Sequence, residues 1–371
     1  HGAGLEAHRR QCMVGVEMIC APWAKGLVHG VQCTLDSTAH IYCAYLSTHC
    51  TVADGNGTKG VGLGRRIEYG EVVWHSWKGL CMGNAASGRF GFVVLHYLVD
   101  EATVQCVESI RRCCAGRDFH IVVVDNASAN GSYERLAERY AGTDDVTLLH
   151  NARNEGFARG NNVGYRHCKE RLHCDYIVTI NNDAVVDDAH FMDRAIEDYQ
   201  PWHCGVIGPK IISGKTGRDQ NPVRSVVDTP VKIAAVRKHI RRNLLLLHLH
   251  LLEPFSALKS RVKRPPQPHT EAPKPVVEGT YKLHGSCLIF TPVFVQRFDE
   301  PFDPGTFLYL EEDILYLRCK RAGLAMRYDP QIVVRHAEDV STDSMVRHDA
   351  RRKQILYLQR HRDSLSTLER Y

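Results

Sequence analysis

Between residues 89 and 340, short apolar runs alternate with stretches of helical periodicity. The run Phe119–Asp125 (FHIVVVD) is β-branched and continuous, which is typical of a strand buried on both faces of a sheet. Glu101–Ala115 instead spaces its apolar side chains three or four positions apart, as a helix with one buried face does. Further strands are predicted at Phe90–His96, Val146–His150, Tyr176–Asn181, Gly205–Ile212, Gly285–Thr291 and Ile332–His336, and further helices at Ser132–Tyr140, Phe157–Leu172, Ala189–Tyr199, Glu311–Arg321 and Met345–Arg362. This alternation predicts an open, mostly parallel α/β sheet with helices on both faces.

Two stretches depart from this pattern. Residues 1–88 hold 14 of the 29 glycines and six of the 14 cysteines with poor periodicity, so we expect a separate N-terminal segment without an assigned function. Residues 213–280 interrupt the alternation, and five prolines between Pro265 and Pro275 indicate a linker there. The predicted organisation is therefore an N-terminal segment followed by one domain, residues 89–371, that contains an insert.

Composition narrows the class of protein. Hydrophobic residues make up 44% and charged residues 24%, which excludes a disordered chain, a collagen and a coiled coil. The longest dense apolar run, Leu244–Leu252, is interrupted by two histidines and falls short of the roughly 20 residues of a spanning helix. The cysteines are scattered with no Cys-x-x-Cys spacing, which disfavours a structural zinc site and favours a reducing compartment. We therefore expect a cytoplasmic protein.

Positive charge is concentrated in the insert. The net charge of the chain is +5, but residues 231–264 alone carry nine Lys or Arg and one Glu. Within this segment one helical face is apolar, with Ile233, Val236, Ile240, Leu244 and Leu247. Cations lie beside this face, at Arg237, Lys238, Arg241 and Arg242. Such a helix indicates an anionic membrane surface as partner, with a packed surface helix as the alternative. No aromatic residues alternate with the cations, so we expect no nucleic-acid partner.

Polar clusters follow four successive predicted strands. They are Tyr97–Glu101, Asp125–Ser128, Asn154–Asn162 and Asn181–Asp183. One such cluster is ordinary turn chemistry, since Asp and Asn favour turns. Four clusters at the carboxyl ends of strands indicate a ligand site, because open α/β sheets bind their ligands there.

These motifs resemble those of family 2 glycosyltransferases. VVVDNAS at Val122–Ser128, NEGFARGNN at Asn154–Asn162 and NND at Asn181–Asp183 are similar to the family's motifs in order and spacing. The resemblance continues at Phe298–Phe302, Leu310–Ile314 and Val333–His336. The most similar group is the bacterial rhamnosyltransferase-like enzymes of O-antigen and capsule assembly, and residues 1–88 lie outside the resemblance.

The resemblance implies a GT-A type nucleotide-diphospho-sugar transferase fold and a dTDP- or UDP-sugar donor. Asp125 would bind the base, with Tyr97 and Glu101 lining the same pocket. The other implied donor contacts are Asn126, Asn154, Gly156, Phe157, Asn161, Asn182 and Asp183. Asp183 and His336 would hold a divalent metal, Mg²⁺ or Mn²⁺, and Asp313, preceded by Glu312, would be the catalytic base.

Sugar transfer requires these residue types. A hard divalent cation, held by few carboxylates and by substrate oxygens, neutralises a diphosphate leaving group. The acceptor hydroxyl is a weak nucleophile, so a carboxylate must take its proton. One base opposite the leaving group gives inversion. Two structural alternatives stay open: Asp313 as an acid that interacts with a helix dipole, and His336 as a structural histidine at a strand end.

Two departures from the family pattern qualify the prediction. Leu315 stands where relatives often carry the last acid of E-D-x-D, and Asn181–Asp183 contains a single acid. We predict an inverting, metal-dependent transferase that acts on a lipid-linked saccharide at the inner face of the bacterial plasma membrane. A nucleotidyltransferase is the first alternative, although Leu98–Ala102 lacks the basic glycine-rich loop that it needs. A non-catalytic nucleotide-sugar-binding homologue is the second.

Overall fold

The computed structural model describes residues 88–249, 279–338 and 349–371, together with three strands nearer the N-terminus. The chain divides into two compact units, His1–Gly83 and Asn84–Tyr371. In the first unit, β1 (Gln32–Leu35), β2 (Ile41–Tyr45) and β3 (Glu68–Gly70) form an antiparallel sheet in that order.

The second unit is built around an eight-stranded mixed sheet. Its strands are β4 (Phe90–His96), β5 (Phe119–Asp125), β6 (Val146–His150), β7 (Tyr176–Asn181), β8 (Ala184–Val186), β9 (Val206–Ser213), β10 (Cys287–Phe290) and β11 (Met326–His336). Their order across the sheet is β6-β5-β4-β7-β10-β9-β11-β8. Only β10 and β8 run against their neighbours, so the sheet is mostly parallel.

Helices cover both faces of this sheet. They are α1 (Asp100–Cys113), α2 (Ser132–Arg139), α3 (Gly156–Glu170), α4 (Phe191–Trp202), α5 (Pro230–His248), α6 (Pro292–Arg297), α7 (Glu311–Ala322) and α8 (Ala350–Leu368). Successive strand residues point to opposite faces. Accordingly, Val94 packs in a core with α1 and α4, whereas its neighbour Val93 packs in a second core with α3 and α7.

The predicted sheet of mostly parallel strands with flanking helices is confirmed. The prediction missed β8, which is three residues long, and α6, which is one and a half turns. It also started β11 too late, at Ile332 instead of Met326, because Pro330 breaks the apolar run. The pairing of β11 with β9 is irregular at that point, between Asp329 and Val333. Part of the predicted helix Met345–Arg362 lies outside the described residues, and the observed helix extends to Leu368.

The basic helix of the insert is α5, and its apolar stripe is covered by protein. Ile240, Leu244 and Leu247 are buried in a cluster with α7 and with Leu358 and Leu365 of α8. Arg237 pairs with Glu369 near the end of α8, while other cations of the helix, Lys238, Arg241 and Arg242, are exposed. The packed surface helix, not a helix with a free apolar face, is therefore the observed arrangement. Within the described residues no helix has the length and apolarity to cross a membrane.

Candidate active site

The sheet topology brings the predicted polar clusters to one edge. Leu95 of β4 pairs with Asn181 of β7, and His96 pairs with Asp125, so these strands end side by side. Strand β10 runs in the opposite direction, and its first residue, Cys287, pairs with Ile180. The residues before β10 therefore meet the residues that follow the parallel strands. Together they surround a cavity of about 370 Å³.

Most of the predicted site residues line this cavity. Those that do are Tyr97, Asn126, Asn154, Gly156, Phe157, Asn182, Asp183, Glu312 and His336. Four do not: Glu101, Asp125, Asn161 and Asp313. Glu101 is exposed on α1, and Asn161 is buried within α3, where its amide donates to the carbonyl of Phe157 at 2.9 Å.

Asp125 is fully buried and engaged by the protein itself. Its Oδ2 lies 2.8 Å from Nδ1 of His150, and the backbone N–H of Ser128 donates to both carboxylate oxygens, with N–O distances of 3.3 and 3.2 Å. The carboxylate of Asp125 is therefore held by protein partners outside the cavity lining, and its binding of a nucleotide base stays a prediction.

Asn126 shapes the cavity wall. Its Nδ2 donates to Oδ1 of Asn154 at 3.0 Å and to the carbonyl of Gly156 at 3.1 Å, and its Oδ1 accepts from the backbone N–H of Glu155 at 2.9 Å. Gly156 has a φ of +79°, and a Cβ there would collide with the carbonyl oxygen of Phe307. The loop before α3 is thereby fixed close to the segment before α7.

Asp183 and His336 are neighbours in the cavity. Strand β11 pairs with β8 so that His336 lies opposite Ala184, which brings Nε2 of His336 within 3.2 Å of Oδ1 of Asp183. Nδ1 of His336 lies 3.0 Å from Oε1 of Gln220. An amide oxygen only accepts, so Nδ1 donates this hydrogen bond. Nε2 and the carboxylate oxygen of Asp183 face each other, and a cation between the two atoms would take the place of a proton there.

This pair fits part of the ligand set of a divalent metal. Two donor atoms 3.2 Å apart have the spacing of adjacent ligands that each lie about 2.0–2.2 Å from an ion. Across the described ranges no cluster of three or more His, Cys, Asp or Glu could hold a metal. Magnesium commonly takes few protein ligands and completes its shell with phosphate oxygens and water. The pair therefore suits a metal that binds together with a diphosphate.

His284 adds a neutral donor to the cavity. The backbone N–H of Ser286 donates to its Nδ1 at 3.2 Å, so Nε2 carries the ring proton. Burial lowers the pKa of His284, with the charge of Glu312 acting in the opposite direction. An uncharged imidazole that carries its proton on Nε2 can donate a hydrogen bond from that atom to a substrate oxygen.

Three consecutive acids begin α7, and their surroundings differ. Asp313 is fully buried, accepts a hydrogen bond from the backbone N–H of Val227 at 2.7 Å and pairs with Lys282. Burial raises the pKa of Asp313 against the opposing effect of these partners. Glu312 lines the cavity, and its carboxylate lies so close to Gly285 that a Cβ there would collide with it. The carboxylate of Glu312 therefore reaches the cavity, whereas that of Asp313, the base predicted from the sequence, is held in the interior.

Glu311 is a third kind of carboxyl group in this run. It lines the cavity but is only 3% exposed, and no hydrogen-bond partner of its Oε1 is found among the residues that the structure describes. Burial, and to a smaller extent the neighbouring Glu312, raise the pKa of Glu311 to about 8. The carboxyl group is therefore protonated at neutral pH.

A pH-dependent stability follows for Glu311. Between its ordinary pKa of 4.5 and about 8, the folded chain keeps a proton that the unfolded chain releases. The free energy of unfolding should then fall by about 1.4 kcal/mol per pH unit as pH rises through this window. Glu311→Gln should remove this decline. Urea unfolding at pH 5.5 and 7.5 would measure it, with the exposed Glu101→Gln as control, and equal pH dependence in Glu311→Gln and the wild type would contradict it.

Several cavity residues were missed by sequence reasoning. Gln220 comes from the insert, His284 and Ser286 precede β10, and Tyr309 precedes α7. Polar residues were expected after strands, whereas His284 and Ser286 lie before one. They reach the site because β10 is antiparallel and presents its amino end to it. The signal available in the sequence was His284 immediately before the predicted strand Gly285–Thr291, with the polar Ser286 at the start of that strand.

Comparison with known families agrees with this geometry. Residues 92–262 match the model of the family described as glycosyl transferase family 2. This part of the chain matches the glycosyltransferases. The match covers slightly less than half of the chain and includes the Asn126 loop and Asp183. The second unit, with its mixed sheet between helices, has the GT-A type fold that the motifs imply, and the match supports sugar transfer as the general activity.

Solved structures to which the chain is similar include S. aureus TarS 1–349, at 12% identity and a TM-score of 0.43, over 70% of this chain and 63% of that chain. The TarS complex with UDP-GlcNAc matches at 12% identity and a TM-score of 0.43, over 67% and 58% of the two chains. Mannosyltransferase PcManGT from Pyrobaculum calidifontis in complex with GDP-Man and Mn²⁺ matches at 16% identity and a TM-score of 0.43, over 75% of this chain and 70% of that chain. The chain thus spans less than two thirds of the TarS structures. The search of curated proteins returned no match.

Proposed function

We propose that this chain transfers a sugar from a nucleotide-diphospho-sugar to a saccharide hydroxyl with inversion at the sugar carbon. The observation that carries the proposal is one cavity lined by both the Asp183–His336 pair and the carboxylate of Glu312. These groups supply the two functions that the reaction needs, stabilisation of a leaving diphosphate and removal of a proton from the acceptor. The family match of residues 92–262 supports the same reaction class.

On the donor side, Asp183 and His336 would hold Mg²⁺ or Mn²⁺. A divalent cation, when bound, neutralises the charge that develops on the leaving diphosphate. The Nε2–H of His284 would donate to a donor oxygen, and the sugar nucleotide would lie along the loop fixed by Asn126. The proposed donor contacts are Tyr97, Asn126, Asn154, Gly156, Phe157 and Asn182, all of which line the cavity.

On the acceptor side, Glu312 would accept the proton of the attacking hydroxyl. Its position near Gly285 keeps its carboxylate at the cavity wall, while Asp313 behind it holds the start of α7 through Lys282 and Val227. A single base that acts on the face opposite the leaving group leads to inversion. Attack through a covalent sugar intermediate would need a nucleophile in addition to this base.

The donor and pathway are proposed from the motifs. A dTDP- or UDP-linked hexose or deoxyhexose such as rhamnose, and a lipid-linked acceptor of surface polysaccharide assembly, fit the rhamnosyltransferase-like resemblance of Val122–Ser128 and Asn154–Asn162. A screen of UDP-, dTDP- and GDP-sugars that scores nucleotide release tests the function. Release of nucleoside diphosphate from one donor class, dependent on Mn²⁺ or Mg²⁺, supports it. Release of pyrophosphate from a nucleoside triphosphate and a sugar phosphate would instead identify a nucleotidyltransferase.

Binding to the inner face of a membrane would not use the predicted apolar stripe of α5. The apolar stripe of α5 is packed against α8, so the exposed cations Lys238, Arg241 and Arg242 remain for an anionic surface. Each contributes about 1 kcal/mol near such a surface, a total of roughly 3 kcal/mol that salt screens. We expect weak, salt-sensitive sedimentation with anionic vesicles that is lost when all three are changed to Ser. Equal binding to neutral vesicles, or none at low salt, would contradict this.

A further inference from the structure

Three aromatic rings gather beside the cavity, and we call them the aromatic cluster: Tyr309, Tyr357 and His361. The ring centroids of Tyr309 and His361 are 4.3 Å apart with nearly parallel planes, and Tyr357 lies 4.8 Å from Tyr309 and 4.1 Å from His361. Tyr309 lines the cavity, whereas Tyr357 and His361 come from α8. Helix α8 thus adds to the site a surface that the strand-end motifs do not provide.

The aromatic cluster is not part of a packed core. Tyr357 is 45% exposed, one of the few large hydrophobic side chains with such exposure, and the adjacent Leu358 is buried against α5 and α7. The burial of Leu358 fixes the rotation of α8 about its axis. That rotation presents Tyr357 and His361 to Tyr309 and to solvent.

The backbone at Tyr309 is held in a costly conformation. Tyr309 and Leu310 have φ values of +73° and +69°, in the left-handed region that residues with a Cβ seldom adopt. Leu310 is buried in the cluster between α5, α7 and α8, so packing maintains this conformation. The turn places Tyr309 directly ahead of the acids that start α7. Strain that packing sustains in this way is characteristic of functional sites.

Charge and position indicate what this surface would bind. Burial lowers the pKa of His361, so all three rings are uncharged at neutral pH, which does not favour a phosphate. Lys282 and Glu312 are both near enough for their opposite charges to act on Tyr357 and His361. A ligand on the aromatic cluster would therefore be neutral, would offer an apolar face to aromatic rings and would lie beside the proposed base.

We infer that the aromatic cluster is the subsite for a pyranose ring of the saccharide acceptor. A pyranose has a face of C–H groups that packs on the electron-rich face of an aromatic ring, while its hydroxyls remain free at the edge. A ring seated on Tyr357 and Tyr309 brings a hydroxyl toward Glu312. This inference rests on the proposed function, because an acceptor sugar is required only if the chain transfers glycosyl groups.

Ligand-observed saturation-transfer NMR on the full chain tests this inference with two probes. One is a panel of methyl glycosides of glucose, galactose, mannose, N-acetylglucosamine and rhamnose, and the other is UDP with diamagnetic Mg²⁺. The variants are Tyr357→Ala and Tyr357→Phe, and the control is Tyr133→Ala, which removes an aromatic ring that packs at a tilt against His150 outside the cavity. We expect Tyr357→Ala to weaken glycoside binding about 3- to 10-fold. Tyr357→Phe, Tyr133→Ala and UDP binding should remain near the wild type.

Each other outcome overturns the inference. If at least one glycoside binds the wild type and binds Tyr357→Ala equally well, the aromatic cluster is not the subsite. If UDP binding falls in Tyr357→Ala, the rings contact the nucleotide. If UDP binds and none of the glycosides does, no pyranose subsite is formed. Failure of the proposed function gives a different result. UDP and every sugar nucleotide would then fail to bind the wild type, whereas a glycoside could still bind the wild type and lose that binding in Tyr357→Ala.

Discussion

Glu312→Gln should lower the turnover of sugar transfer by about 10²–10⁴-fold and leave donor binding nearly unchanged. The substitution keeps the shape of the side chain and removes its capacity to accept a proton. Glu312 is the acid of the Glu311–Asp313 run that lines the cavity without being buried, so it can contact an acceptor hydroxyl. Turnover would be measured with the donor identified by nucleotide release, and donor affinity by titration of the same nucleotide.

Two further variants separate this role from its alternatives. Asp313→Asn breaks a buried pair with Lys282, so it should cost about 3–5 kcal/mol of stability while turnover per folded molecule stays close to the wild type. Gly285→Ala introduces a Cβ against the Glu312 carboxylate and should reduce turnover without loss of donor binding, since the backbone there tolerates any residue. If Asp313→Asn loses turnover per folded molecule and Glu312→Gln does not, Asp313 is the base and the assignment to Glu312 is wrong.

The acids of α7 show what sequence can and cannot decide. A run such as Glu311–Asp313 identifies a helix start with acidic chemistry, and the sequence placed this run in the site. Successive helix residues point about 100° apart, however, so a shift of one position exchanges a cavity residue for a buried one. Which acid faces the cavity depends on Lys282 and Val227, two partners far away in sequence that hold Asp313 in the interior.

The fold was predictable where burial is uniform along a run. FHIVVVD at Phe119–Asp125 and the run Tyr176–Asn181 match the observed strands residue for residue, because both faces of the sheet are covered and the apolar pattern is continuous. The function of the α5 stripe was not predictable in the same way. Apolar residues spaced three or four apart suit a membrane surface and a neighbouring helix equally, and only the position of α8 shows that the stripe is packed.

Contacts between residues distant in the sequence also determine how the side chains of Asp125 and Asn126 are held at the end of β5. Asp125 closes a strand at the expected edge, and its sequence context is that of a ligand-binding acid. Its carboxylate is nevertheless held by His150 and by the backbone of Ser128. The Asn126 side chain, by contrast, orders the loop through Asn154 and Gly156, a role that depends on the return of the chain 28 to 30 residues later.

Asp183→Ala should abolish metal-supported sugar transfer, a loss of about 10²–10³-fold, because cation stabilisation of a leaving diphosphate amounts to several kcal/mol. The carboxylate lies 3.2 Å from Nε2 of His336, and without it one ligand of the pair is missing. The fold should survive, since the backbone carbonyl of Asp183 still accepts from Ala337 N–H at 2.9 Å and the adjacent β8 still pairs with β11.

A readout independent of activity is thermal stabilisation by Mn²⁺ with UDP, which we expect in the wild type and not in Asp183→Ala. Asp187→Ala is the matched control, because Asp187 lies four residues further on and pairs with the exposed Arg335. Full activity in EDTA would show that the leaving group is stabilised by protein donors such as His284 and not by a metal. Equal Mn²⁺ stabilisation of Asp183→Ala and the wild type would show that Asp183 does not hold the metal and that its pair with His336 is a structural contact.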